Sequence, residues 1–174
     1  MNEAIKSFRR LEESKKPIIA ALNGFAVGGG TEVTLYCDIV IASEKAIFGF
    51  TETGLGLVPA FAILRLHQTV GRQKAEELIM AGGMIKAKEA MRLGFVNNVA
   101  PQDNLMDAAF GVANNKIKEK GPLAIEPTKT SINRKLGGDG FTYMVDALSM
   151  FFDSEELKED MAAFLEKRKP NFRG

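Results

Sequence analysis

Two glutamates and a run of three glycines are the residues of this chain best suited to chemistry. Gly28-Gly29-Gly30 precede a short helical stretch over residues 31–37. Glycine permits backbone paths closed to residues with a Cβ, and the first N–H groups of a helix have no partner within it. Aided by the helix dipole, such groups stabilise negative charge on a nearby oxygen. A tight turn for close packing is the competing use of the same residues. The spacing is not GxGxxG, and no Lys-Ser or Lys-Thr follows, so neither a dinucleotide fingerprint nor a phosphate loop is present.

Glu32 falls in the first turn of that helical stretch, beside Val33, Leu35 and Tyr36. A carboxyl facing such surroundings resists ionisation and can exchange protons near neutral pH; an exposed helix-start glutamate is the alternative. Glu52 sits in FGFTETGLGLVP, at the end of a strand and the start of a loop. It is either a general acid or base in an apolar stretch, where carboxylates are unusual, or a solvated loop residue. Two carboxylates on opposite sides of a substrate can divide the work, one handling water and the other a carbon-bound proton. A metal would lack a histidine nearby. The single histidine, His67, reads as structural, and Cys37 reads as core.

The elements that must position these groups follow from hydrophobic periodicity. Residues 2–15 read as an amphipathic helix, with Ile5, Phe8 and Leu11 at helical spacing. Residues 17–22, 38–42 and 46–50 read as buried strands. Residues 23–30 read as a glycine-rich turn and 54–59 as a loop. Helices are expected over 60–69, 73–81 and 87–93, the last closed by Gly94 as a left-handed cap, followed by a strand over 95–99. From Pro101 the chain reads as nearly all helix, over 102–119, 122–136, 142–152 and 154–169. Pro127 is expected to kink the second of these or delay its start, and Ser154 to cap the last. This divides the chain into an α/β body, residues 1–100, and a helical region, 101–174. Phe151, Phe152, Met161 and Phe164 in the latter serve either a partner surface or packing on the body.

Composition excludes several classes. A net charge of +1 offers no electrostatic case for nucleic acid or membrane binding. No apolar run approaches a membrane span. One cysteine excludes an intrachain disulfide framework and favours a reducing compartment. The charged first residues are not a secretory signal, so a cytoplasmic location is the expectation.

The segment NGFAVGGGTEVTLYCDIVIASEKAIFGFTETGLGLVP resembles the signature region of the crotonase (enoyl-CoA hydratase/isomerase) family, and MAAFLEKRKPNFRG resembles the family's last helix. The resemblance runs from Lys16 to the C-terminus. It implies the later part of a crotonase-like spiral of β-β-α turns, followed by an all-helical C-terminal trimerisation region. Gly29 matches the residue whose N–H forms half of the oxyanion hole. Glu32 and Glu52 match the two catalytic glutamates of hydratases. Phe164 and Lys167 match positions that touch the coenzyme A of a neighbouring subunit. The implied reaction is hydration of a trans-2-enoyl-CoA, with no cofactor, because coenzyme A is part of the substrate. The implied assembly is a homotrimer or dimer of trimers. Another acyl-CoA enzyme of the family, an isomerase or hydrolase, is the alternative, and a non-catalytic oligomerising fragment is a third.

The chain departs from the family pattern in three places. The family carries a longer N-terminal portion before PIIAALNG, which holds the second oxyanion N–H, so weak or no hydratase activity is expected of this polypeptide alone. After Pro59 the family's glycine-rich stretch is replaced by Ala60-Phe61-Ala62-Ile63-Leu64, one residue shorter, which bears on substrate choice. Asp160 stands where glycine is common.

Overall fold

The structure is a computed structural model that describes residues 2–133, 145, 146, 149 and 154–172. The chain divides into two compact units, residues 1–11 with 18–110 and residues 12–17 with 111–174. The first unit holds helix α1 (Asn2–Glu13) up to its residue 11, followed by β1 (Ile19–Leu22), β2 (Phe25–Val27), α2 (Gly29–Thr34), β3 (Ile39–Ser43) and β4 (Ile47–Gly49). A 3-10 turn (Glu52–Leu55) leads to α3 (Ala60–Val70), α4 (Arg72–Ala81), β5 (Met84–Lys86), α5 (Ala87–Leu93), β6 (Asn98–Ala100), a second 3-10 turn (Gln102–Asn104) and α6 (Leu105–Val112).

The first four strands alternate between two sheets, and β5 joins β4 before β6 returns to the other. One has the order β1-β3-β6, all parallel, with Ile19 opposite Ile39 and Ile41 opposite Asn98. The other has the order β2-β4-β5, with β2 parallel to β4 and β5 antiparallel to it. Each β-β-α turn therefore lays one strand in each sheet and returns through a helix. This is the coil expected of the spiral core, since parallel neighbours require such crossovers.

Composition explains the pattern. Ile39-Val40-Ile41-Ala42 is an uninterrupted apolar run buried along most of its length, as a parallel strand covered on both faces must be. Phe48, Phe50 and Leu66 fill the centre, and Phe48 meets Phe95 edge to face at 5.2 Å. Ala42, Ala46, Ala62, Ala87 and Ala90 are fully buried where elements approach closely.

Several sequence expectations are corrected. Residues 23–30 are not only a turn, because Phe25–Val27 pair with β4. β5 was not anticipated; its short, mostly exposed Met-Ile-Lys has no strand-like periodicity. The strand expected over 95–99 is Asn98–Ala100, because Phe95 and Val96 are taken up in the turn after α5. Gly94 does close α5 in the left-handed region, φ 93°. The first compact unit runs to residue 110. Gln102 is hydrogen-bonded to Ser43 of β3, and Leu105 and Ala109 are buried, so α6 starts within the first unit. Cys37 is half-buried rather than core, its thiol 3.5 Å from the Val33 carbonyl. His67 is exposed, with Nδ1 2.9 Å from the Ile63 carbonyl.

In the second unit, a π-helical turn (Ala113–Ile117) interrupts the long helix expected over 102–119. α7 (Pro122–Asn133) runs through Pro127, which does not delay its start. Lys129 Nζ donates to the Lys16 carbonyl at 3.2 Å and Asn133 Nδ2 to that of Glu12 at 3.1 Å, which is why residues 12–17 belong here. α8 (Glu155–Glu166) is capped by Ser154, whose hydroxyl accepts the Leu157 N–H at 3.2 Å. The helix expected over 142–152 lies largely outside the described residues.

Candidate active site

The glycine run ends β2 and opens α2. Gly28 takes φ 58° and ψ −127°, a combination open essentially to glycine alone. Its N–H donates to the Gly49 carbonyl of β4 at 2.9 Å. A Cβ on Gly28 would lie 3.3 Å from Glu52 Oε1, so the backbone and this carboxylate approach closely only because the side chain is missing. Gly29 is the first residue of α2, and its N–H falls outside the helix's own hydrogen-bond ladder. A Cβ there would meet nothing within 4 Å, so its side-chain face is open.

Thr31 fastens this turn. It is fully buried, and its hydroxyl donates to the Ala26 carbonyl at 2.5 Å, lies 3.0 Å from the Gly49 carbonyl and accepts the Gly49 N–H at 3.1 Å. One side chain thus ties β2, β4 and α2 together immediately before Glu32.

Glu32 is 6% exposed, which settles its burial against the reading of a solvated helix start. Its Oε1 accepts the N–H groups of Phe61 and Ala62, at 3.0 and 2.9 Å. These are orphan donors in the first turn of α3, where a carboxylate also meets the positive end of the dipole. No described residue hydrogen-bonds to Oε2. Burial pushes the Glu32 pKa above the ordinary carboxylate value of 4.5; the Ala62 N–H opposes this, the nearby charge of Glu52 adds to it, and the Phe61 N–H again opposes. The net direction is up. Burial, then the Glu32 charge, also raises the Tyr36 hydroxyl.

Glu52 opens the 3-10 turn after β4, which Gly56 closes in the left-handed region at φ 72° and Thr53 anchors by donating to the Ile79 carbonyl at 2.8 Å. Both Glu52 carboxylate oxygens are buried, and neither finds a hydrogen-bond partner among the described residues. Buried polar atoms are nearly always paired, so an orphaned carboxylate marks a functional position or stored strain.

The structure therefore brings Glu32, Glu52 and the Gly28-Gly29 turn to one place. Thr31 and the α3 N–H groups escaped the sequence reading. The glycine run included Gly28, but the donors of residues 61 and 62 lie 29 and 30 positions from the acid they hold and leave no sequence signal. Phe164 and Lys167 lie in the second unit, on and just after α8. Phe164 is 82% exposed, and Lys167 caps the helix at φ 55°.

The chain is similar to known proteins along nearly all its length. Residues 2–174 match the family profile of enoyl-CoA hydratase/isomerase. The short-chain-enoyl-CoA hydratase of Clostridium acetobutylicum is 45% identical, over 94% of this chain and 64% of the relative. The crotonyl-CoA hydratase of Syntrophomonas wolfei is 41% identical, over 96% of this chain and 65% of the relative. The crystal structure of an enoyl-CoA hydratase from Bacillus anthracis superposes with a TM-score of 0.93 at 35% identity, covering 98% of this chain and 67% of that one. The chain thus spans about two thirds of the length of these proteins. From the arrangement of strands and this similarity together, the chain belongs to the enoyl-CoA hydratase/isomerase family.

Proposed function

We propose that the protein adds water across the double bond of a trans-2-enoyl-CoA. The observation that carries this reading is the pair of buried carboxylates, Glu32 and Glu52, each within reach of the other's charge or of the glycine turn. Hydration needs a base for water and a proton for the α-carbon. Glu32, held through Oε1, keeps Oε2 for the attacking water at the β-carbon. Glu52, in its protonated form, delivers the α-proton as Glu32 takes one from water, and proton return through solvent from Glu32 to Glu52 restores both; its unpartnered oxygens suit a group whose hydrogen bonds come from water and substrate. The Gly29 N–H donates to the thioester oxygen as enolate charge develops, a contribution of about 3–4 kcal/mol for one such donor. Relatives at 41–45% identity that carry hydratase names support the same reaction. Coenzyme A enters only as part of the substrate.

The test is steady-state hydration of crotonyl-CoA by the parent, Glu32→Gln and Glu52→Gln. Each variant should lose about 10²- to 10⁴-fold in kcat, the range for a positioned acid or base. The readout is the ratio to parent, so it holds at a low absolute turnover. Rates equal to the parent's in both variants would overturn the reading. Enoyl-CoA isomerisation that survives in Glu32→Ala would favour an isomerase instead.

The same reading includes a homotrimer or dimer of trimers, with Phe164 and Lys167 touching the coenzyme A of a neighbouring subunit. Exposed Met161, Phe164 and Leu165 on α8 support it. Light scattering during size exclusion should give three or six copies; a monomer would contradict it.

A further inference from the structure

The mechanism uses Oε2 of Glu32, and Oε1 is held by the start of α3. What holds the start of α3 is therefore part of the catalytic geometry. That start bears Phe61, in place of the glycines to be expected from the family resemblance. Phe61 stacks on Phe8 of α1, ring centroids 3.8 Å apart and planes 15° from parallel. Tyr36, directly after α2, meets Phe8 edge on at 5.0 Å and Phe61 edge on at 6.1 Å. Its hydroxyl donates to the Phe61 carbonyl at 3.3 Å. Phe8 and Tyr36 are buried. Arg65, one turn further along α3, lies over the Tyr36 ring at 5.2 Å.

The peptide whose N–H binds Glu32 thus belongs to a residue gripped on its side chain by Phe8 and on its carbonyl by Tyr36. Resting on the proposed hydration, we infer that Phe8 and Tyr36 are positioning residues: they fix the first turn of α3 so that its N–H groups hold one oxygen of Glu32 and leave the other for water. Neither touches the reacting atoms. The arrangement replaces backbone flexibility by an aromatic lock, and the lock links α1 and α2 to the acid.

Loosening the turn has a defined electrostatic consequence. The Phe61 and Ala62 N–H groups favour the ionised carboxylate, against burial and the Glu52 charge, which disfavour it. Weaker N–H contacts move the Glu32 titration upward. The other groups around it do not mask this. Tyr36 titrates far above the range concerned, α2 and β2 carry no further ionisable side chain, and α3 contributes only Arg65 and the exposed His67.

The experiment compares Phe8→Leu and Tyr36→Phe with the parent in the full chain. The second variant keeps the ring and removes only the hydroxyl, so it retains the fold even if the first does not. The Glu32 carboxyl is followed by NMR of ¹³C-labelled glutamate, its signal identified by its disappearance in Glu32→Gln. Both variants should titrate above the parent. In both, kcat for crotonyl-CoA should fall, by roughly tenfold or more for Phe8→Leu, with KM held within about twofold because ground-state binding is untouched. An unmoved Glu32 titration in the folded variants would overturn the proposal, as would an equal fall in kcat with no shift in titration. If Glu32→Gln itself keeps the parent's rate, the hydration reading fails instead, and the titration still decides whether the lock holds the carboxylate.

Discussion

At the scale of single residues, the site is a balance between burying a carboxylate and supplying it with donors. Glu32 is pushed up by burial and by Glu52 more than two backbone N–H groups pull it down. As a base it acts when ionised, so kcat/KM should fall as pH drops through its raised pKa, with an acid limb above the ordinary 4.5. The same shift bears on stability. A raised carboxyl binds its proton more tightly folded than unfolded, so its contribution is fullest below 4.5 and is lost as pH rises through the folded value. Glu32→Gln keeps the shape and an acceptor for both N–H groups. Its melting temperature should exceed the parent's at neutral pH, with the gain shrinking as pH falls through the raised pKa and gone below 4.5; a difference that does not vary with pH would contradict this. Gly28 carries a second residue-scale prediction. Alanine there is strained by about 1–3 kcal/mol, and its Cβ falls 3.3 Å from Glu52 Oε1. Gly28→Ala should lower kcat about ten- to a hundredfold, and turnover at the parent's level would show that Glu52 does not depend on this approach.

At the scale of elements, the sequence is most legible where one physical requirement dominates. β3 is a solid apolar run and needed nothing more to be found. Ser154 and Gly94 marked helix ends through local chemistry. β5 was illegible because its exposed residues owe their pairing to β4 rather than to any pattern of their own. The two glutamates were legible as types in odd company, but the N–H groups that hold Glu32 are supplied by tertiary folding. The end of α8 shows another tertiary device. Arg168 pairs with Glu159 and Glu166, and the Asn171 N–H donates to Glu159 at 2.7 Å. The Arg168 side chain, then the Asn171 N–H, hold Glu159 down to about 2. A depressed carboxyl stabilises above its ordinary value of 4.5 and loses that contribution as pH falls toward about 2. Glu159→Gln should therefore flatten the acid dependence of unfolding in that window, as read by circular dichroism. An unchanged acid limb would show that the cluster is merely a surface pair.

At the scale of the whole molecule, the order of strands first and helices last was legible from periodicity. The two compact units rest on contacts that periodicity does not show, because Gln102 and residues 12–17 reach across the sequence to their partners. The crotonase coil itself came from the resemblance of the segment between Asn23 and Pro59, not from periodicity, which saw β1, β3 and β4 but not β2 or β5, nor that β1 to β4 alternate between two sheets. That alternation is what delivers the end of β2 and the end of β4 to the same place, and with them Gly28, Glu32 and Glu52. The central claim is that these two carboxylates work as one unit on one substrate. A double-mutant cycle on crotonyl-CoA hydration tests it most directly. Glu32→Gln and Glu52→Gln should each cost about 10²- to 10⁴-fold in kcat, and the double variant should be within roughly tenfold of the worse single, as for residues that act together. Losses that simply multiply in the double variant would mean that the two glutamates act independently, and would contradict the shared site.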